Sequence, residues 1–365
     1  MAGQFDVLAI EVATTSQTYN WPPSGAITNA TKLTLFPGQS YETISPLRRL
    51  WRELRALIGC RTVFVGIGYD RADIIALSWL LRLSGGTVVM MTDSKFDDRS
   101  RWAPREALKA MVLKAYSAVI VAGRQQRDFV HLLGHHRHRV VPGYDTVSID
   151  RVRREALRSP LPPKSDWPFT FVGRFVPKKN LFNLLEAYAL YVSQADGPPR
   201  RLQLIGSGEL EAGLRAYCAE LDITHLVDFP GFLSACDVSA RLAASIALIL
   251  ISVEEQWGLV VNEAVALDVP VIVSTAVGST DALVRNLCNG FIFEPDAVDG
   301  IAAALKLLAE DPQLRDRMSA AAHERAWLAD TERFADAVQH LVTREPDAAA
   351  TASIARFERS LAETG

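Results

Sequence analysis

ALILISVEEQWGLVVNEAVALDVPVIVS, residues 247–274, holds two short apolar runs separated by an acidic loop and an amphipathic stretch. Ala247–Ser252 is apolar almost to its end, as befits a strand buried on both faces of a parallel sheet. The loop after it carries Glu254, Glu255 and Gln256, Trp257-Gly258 turns the chain, and the helix that follows carries Glu263. Val271–Ser274 then restarts as a strand. On one continuous helix Glu255 and Glu263 would be turned roughly 80° from each other. With Glu255 in the loop and Glu263 on the first helical turns, both can face the same mouth. The amides of Gly258, Leu259 and Val260 are helix-start donors with positive dipole character, which suits a diphosphate. Taken alone, Glu255 reads equally as a solvated loop charge and Glu263 as an exposed helix residue.

The same alternation extends outward in both directions. Strands are predicted at Phe5–Val12, Thr62–Gly66, Thr87–Met91 and Ala118–Ala122, with helices between them. The proline-rich stretch Ser159–Pro168 (SPLPPKSDWP) cannot be helical and reads as a linker. After it come strands at Phe169–Val172, Arg201–Ile205, Leu226–Phe229, Ala247–Ser252, Val271–Ser274 and Phe291–Phe293. This predicts an α/β protein with two doubly wound parallel-sheet, Rossmann-like domains facing a cleft, where ligands of open α/β sheets bind. The expected division is an N-terminal acceptor-side domain over 1–160, a C-terminal nucleotide-sugar-binding domain over 168–335, and a C-terminal helical segment over 336–365 that crosses back to the first domain.

Two further segments carry chemistry. In FTFVGRFVPKKNLF, residues 169–182, Arg174 and Lys179 occupy the loop between a strand and a helix. Two cations at a strand end can stabilise the charge of a leaving diphosphate without a metal; Lys178 is their neighbour. In RLQLIGSGEL, residues 201–210, Gly206 and Gly208 flank a tight strand-to-helix turn, and Gly231 lies in the following DFPGFLS. Phe232 there is a weak base-stacking candidate.

These segments, in this order, resemble the retaining GT-B glycosyltransferases of family 4, the glycosyl transferases group 1 type, over about Phe169 to Trp327. The resemblance places a grip on the donor phosphates at Arg174 and Lys179, a contact to the donor sugar at Glu255, and one to the ribose at Glu263. Gly258, Leu259 and Val260 become the phosphate-binding amides, with Gly206 and Gly231 also on the donor side. Glu255, Lys179 and Arg174 are thus the candidate catalytic residues. The chain departs from the family pattern at Asn180 and Asp268, where glycine is usual; both side chains tolerate left-handed backbone. The later glycine-rich loop is reduced to Val277–Asp281, and VATTSQTYNWPP stands where relatives have a glycine pair. No histidine follows the strand Thr87–Met91, so Asp93 and Lys95 become the acceptor-side candidates, unless both simply sit on a solvated loop.

Bulk properties limit the alternatives. The chain has 365 residues, 22% of them charged, and a formal net charge of −3, which argues against a nucleic-acid partner. Residues 99–158 hold thirteen Lys/Arg against five acids, a local excess that reads either as a balanced, solvated face or as contact with an anionic membrane or acceptor. The four cysteines are scattered, and there is no leader peptide pattern, so a reducing, cytoplasmic setting is expected, peripheral at the inner membrane face. His131, His135, His136 and His138 are interleaved with arginines, which disfavours a metal site. Gly66 and Gly68 imitate a dinucleotide fingerprint whose third glycine is missing. The function expected is transfer of a sugar from a nucleoside-diphosphate-sugar to a hydroxyl of a glycan or lipid-linked acceptor, with retention, no cofactor and no metal, in bacterial surface polysaccharide or glycolipid assembly. The alternatives are a catalytically silent nucleotide-sugar-binding partner and a GT-B epimerase or hydrolase.

Overall fold

The structure, a computed structural model, describes residues 5–16, 27, 30–69, 71–98, 100–135, 139–158, 160–343 and 347–362. The first half contains β1 (Leu8–Thr15), β2 (Thr31–Ser40), α1 (Pro46–Ala56), β3 (Thr62–Val65), α2 (Ala72–Leu83), β4 (Thr87–Thr92), α3 (Ala103–Leu113), β5 (Ala118–Val121), α4 (Arg124–Leu132) and β6 (Val140–Pro142). β3 to β6 form a parallel sheet in chain order. Alternate residues serve its two faces. Val88, Met90 and Val119 pack under α2 and α4 against Leu77, Leu81 and Phe129. Val89, Ile120 and Val141 point the other way.

β1 and β2 do not join that sheet. They pair with each other in a separate two-stranded parallel sheet that closes over Val12, Leu35, Phe36 and Ile44. The expected strand Phe5–Val12 is therefore shifted to Leu8–Thr15 and belongs elsewhere. β2 carries Pro37 and Gly38, turn residues tolerated on an edge strand, and so its sequence does not announce a strand.

The second half runs α5 (Ile149–Ala156), β7 (Phe169–Val172), α6 (Leu181–Gln194), β8 (Leu202–Ile205), α7 (Glu211–Glu220), β9 (Val227–Gly231), α8 (Ala235–Ala243), β10 (Ala247–Leu250), α9 (Leu259–Ala266), β11 (Val271–Ser274), α10 (Thr280–Leu283), β12 (Gly290–Phe293), α11 (Val298–Glu310), α12 (Pro312–Arg325), α13 (Thr331–Val342) and α14 (Ala348–Ala362). Six parallel strands stand in the order β12-β11-β10-β7-β8-β9. All four residues of β7's neighbours β8 and β10, and of β11, are buried, because helices cover both faces. The chain moves outward from β7 to β9 and then returns to β10 on β7's other side. The carboxyl ends of β7 and β10 therefore form the topological switch point.

Ile149 and Val152 of α5 pack in this second core, ahead of the proline-rich stretch. That stretch is non-helical apart from a short 3-10 turn, but it is not a loose tether. Trp167 is buried, donates to the Pro162 carbonyl at 2.9 Å and lies under the Arg315 guanidinium. Ser159, at its start, lies outside the described residues. Ala337 and Val338 of α13 cover the open face of the first sheet, against Val89, Ile120 and Val141. α14 packs beside α13. Among the described residues no helix is long and apolar enough to cross a membrane.

Candidate active site

The loop after β7 and the loop after β10 meet at the switch point. The first carries Arg174 and a 3-10 turn, Pro177–Lys179. Asn180 ends that turn in left-handed backbone at φ 58°. Its amide group donates to the carbonyls of Ile251, at 3.2 Å, and Pro295, at 2.7 Å. Asparagine thus supplies the conformation that glycine usually gives and adds two hydrogen bonds across the loops. Val253 N–H donates to the Lys178 carbonyl at 2.9 Å, which closes the seam between the loops.

On this platform Lys179 Nζ bonds Glu255 Oε2, and both side chains are mostly buried. Ser252 Oγ donates to the same carboxylate oxygen at 3.3 Å. Lys178 faces Glu254 at 3.8 Å. Arg174 is exposed, and no other described side chain pairs with it, so its guanidinium is free for a ligand. Gly258, at φ 94°, caps α9 in a conformation costly for a side chain. Leu259 and Val260, the first two residues of α9, have amides without intrahelical partners.

Glu263 lies one turn further along. Burial pushes its carboxyl up to about 6, with Arg151 of α5 opposing and Glu155 adding to the rise. Gly206 comes within hydrogen-bond reach of Gly231, its N–H donating to that carbonyl at 2.9 Å. A β-carbon on Gly206 would meet the Gly173 carbonyl oxygen at 1.9 Å, so β7's end and the β8 turn pack as only glycine allows. Phe232 is exposed rather than core.

The first domain supplies the opposite wall. Asp93, just past β4, is largely enclosed, and burial is the main cause that raises its carboxyl; Asp98 and Glu255 add, and Lys178 opposes. Its interaction with Glu255 and Lys178 places it across the cleft from the β10 loop. Asp93 lines a cavity of about 200 Å³ with Gly66, Gly68, Tyr69, Arg101, Tyr144 and Gln256, among others. The two glycines are thus cavity wall. Lys95 is buried, and its ammonium donates to the Ala276 carbonyl at 2.7 Å and to Asp97 at 3.0 Å. It ties the two domains together, with two of its three N–H donors used in these bonds. The solvated-loop alternative is corrected for both residues. His136 and His138 lie outside the described residues.

Further polar groups at this junction were given no role by the sequence reading. Asp145, beyond β6, adopts φ 53° and has a buried Oδ2 without a hydrogen-bond partner. Burial first, and Asp93 second, push its carboxyl up to about 8. Its backbone carbonyl accepts from Asn262 of α9 at 2.9 Å, and Asn262 is oriented in turn by Trp257 Nε1. Asp281, in the shortened Val277–Asp281 loop, accepts from the Gln125 amide at the start of α4 at 3.0 Å. Gln126 donates to the Gln256 carbonyl at 2.9 Å. The only signal for Asp145 is the tight Gly143-Tyr144-Asp145 run after a three-residue strand.

A family model described as glycosyl transferases group 1 matches residues 152–325. The lipopolysaccharide core biosynthesis glycosyltransferase LpsE of Rhizobium meliloti is 29% identical over 202 residues, 55% of this chain and 55% of its own length. D-inositol 3-phosphate glycosyltransferase of Thermomonospora curvata is 31% identical over 234 residues, 58% of this chain and 53% of its own. The chain thus spans about half the length of these curated relatives. Among solved structures, sucrose-phosphate synthase of Thermosynechococcus elongatus superposes with a TM-score of 0.70 at 17% identity, covering 100% of this chain and 91% of that one. HepE of Anabaena in complex with UDP gives 0.68 at 15%, covering 85% and 86%. At such identities the likeness concerns architecture, the two-domain GT-B fold. Residues 152–325, which carry Arg174, Lys179, Glu255 and Glu263, are the part of the chain that the glycosyl transferases group 1 model matches.

Proposed function

We propose that the chain transfers a sugar from a nucleoside-diphosphate-sugar to an acceptor hydroxyl, with retention of anomeric configuration and without a metal ion. The observation that carries this reading is the direct contact of Lys179 with Glu255 at the switch point, beside the unpaired amides of α9 and the unpartnered Arg174. Arg174, Lys179 and the Gly258, Leu259 and Val260 amides hold the diphosphate, Glu255 accepts from donor-sugar hydroxyls, and Glu263 accepts from the ribose diol. Gly206 lets the ends of β7 and β8 pack closely beneath the donor, and Gly231 leaves open space at the end of β9. The second-half domain is the donor side and the first, with Asp93 at its rim, the acceptor side.

The bond between the anomeric carbon and the phosphate oxygen breaks as the acceptor oxygen bonds the same face of the sugar. The acceptor proton passes to the departing phosphate oxygen, whose negative charge Arg174 and Lys179 stabilise. A relative named for lipopolysaccharide core biosynthesis supports a glycan or glycolipid acceptor in surface-polymer assembly, and a solved neighbour in complex with UDP supports a nucleotide-sugar donor. The test is sugar transfer from radiolabelled nucleotide-sugars to a glycolipid extract. Glu255→Ala and Lys179→Ala should each lower turnover roughly a hundred- to a thousandfold with the melting temperature nearly unchanged. Full activity in either variant would remove the assigned roles, and release of free sugar without acceptor would favour a hydrolase.

A further inference from the structure

Part of the positive charge concentrated in residues 99–158 is paired inside the molecule. Arg101 pairs with Asp98 and Glu106, Lys109 with Glu106, Arg127 with Asp128, Arg151 with Glu155 and Arg153 with Asp268. A separate group of cations without a carboxylate stands on the flank built by α1 and the end of α2. Arg48, Arg52, Arg55, Arg61 and Arg82 are all exposed there, and no described acid pairs with them. Glu53 and Asp73, the acids of these two helices, are buried.

Large apolar side chains stand among these arginines. Leu47 is 78% exposed, Trp51 57%, Ile58 80% and Leu83 77%. Leu47 and Trp51 are one helical turn apart on the same stripe of α1, and Arg55 lies against the Trp51 ring at 4.6 Å. The buried edge of α1, with Leu50 and Leu54, packs on the first core. The exposed stripe is therefore surplus to folding.

We propose that this flank docks on an anionic lipid surface, with Leu47, Trp51, Ile58 and Leu83 entering the headgroup boundary and the five arginines meeting lipid phosphates. Tryptophan and aliphatic side chains beside arginines, on a helix with no exposed acid, match the interfacial pattern. A second copy of the chain fits poorly, because a two-fold contact would set this arginine patch against itself. The inference stands apart from the chemistry assigned to the cleft.

The test is co-sedimentation of the full chain with phosphatidylcholine vesicles, with and without phosphatidylglycerol. Binding should require the anionic lipid and weaken with salt. Arg48→Gln/Arg52→Gln/Arg55→Gln should reduce it roughly a hundredfold. Leu47→Ser/Trp51→Ser should reduce it by at least about tenfold. If the α1 variants melt early, Arg82→Gln/Leu83→Ser probes the same face from α2. Glu255→Gln should bind vesicles like the parent, so loss of transfer and loss of docking are separable. Undiminished binding by the arginine variant, no binding to anionic vesicles, or self-association abolished by the same substitutions would overturn the proposal.

Discussion

Glu263 joins a ligand role to an acid–base property that can be measured. Burial raises its carboxyl to about 6, so it is ionised at neutral pH and protonated below that value. An ionised carboxylate accepts hydrogen bonds from both hydroxyls of a ribose, and a protonated one accepts less well. Affinity for a nucleoside diphosphate should therefore fall as pH drops through about 6, and Glu263→Gln should flatten the dependence in a calorimetric titration. Asn180 makes a second residue-scale test. Asn180→Ala loses two hydrogen bonds and sets alanine at φ 58°, for an expected loss of about 2 kcal/mol; Asn180→Gly should recover the backbone part in denaturant melts. At this scale the sequence was most legible in the second half. Glutamates, cations and glycines at strand ends have few structural reasons to recur in that order. Asp145 and Lys95 were not legible, because a partner in the other domain decides what each does.

Among the elements, α1 shows how one helix combines burial and exposure. Its Arg49 is buried and bonds Asp73 at 2.6 Å, while neither oxygen of buried Glu53 has a hydrogen-bond partner. Burial, with Asp73 adding, pushes Glu53 up to about 7 from an ordinary 4.5. The folded state thus holds this proton more tightly than the unfolded chain. Stability from this group is fully present below 4.5 and declines as pH rises to about 7, by about 3 kcal/mol. Glu53→Gln should therefore gain on the parent between pH 5 and pH 8 and match it near pH 4, as read by denaturant melts at each pH. Strands of the second sheet were readable because burial on both faces leaves continuous apolar runs, as in Ala-Leu-Ile-Leu of β10. β2 and β6 were not: the first contains Pro37-Gly38, and the second is three residues long.

Across the whole molecule, the cleft is held by few polar contacts. Lys95 reaches Ala276, Gln126 reaches Gln256, Asp281 caps the start of α4, and Asn262 holds the Asp145 loop. α13 returns from the second domain to cover the first sheet, so that sheet is not closed without it. Two packed sheets were legible from the alternation of runs, and a return over 336–365 was expected; that it starts with α13 at Thr331 was not, because periodicity records that a helix has an apolar face and not which sheet it meets. The central claim is that a diphosphate is held where the β7 and β10 loops meet. The most direct measurement is the melting temperature of the parent, Arg174→Ala and Lys179→Ala against a panel of nucleoside diphosphates and their sugars. At a hundredfold excess over Kd, one base should stabilise the parent by roughly 2.7 kcal/mol, and both variants should need at least about tenfold more ligand for the same shift. A parent that no nucleotide stabilises, or variants that respond like the parent, would contradict it.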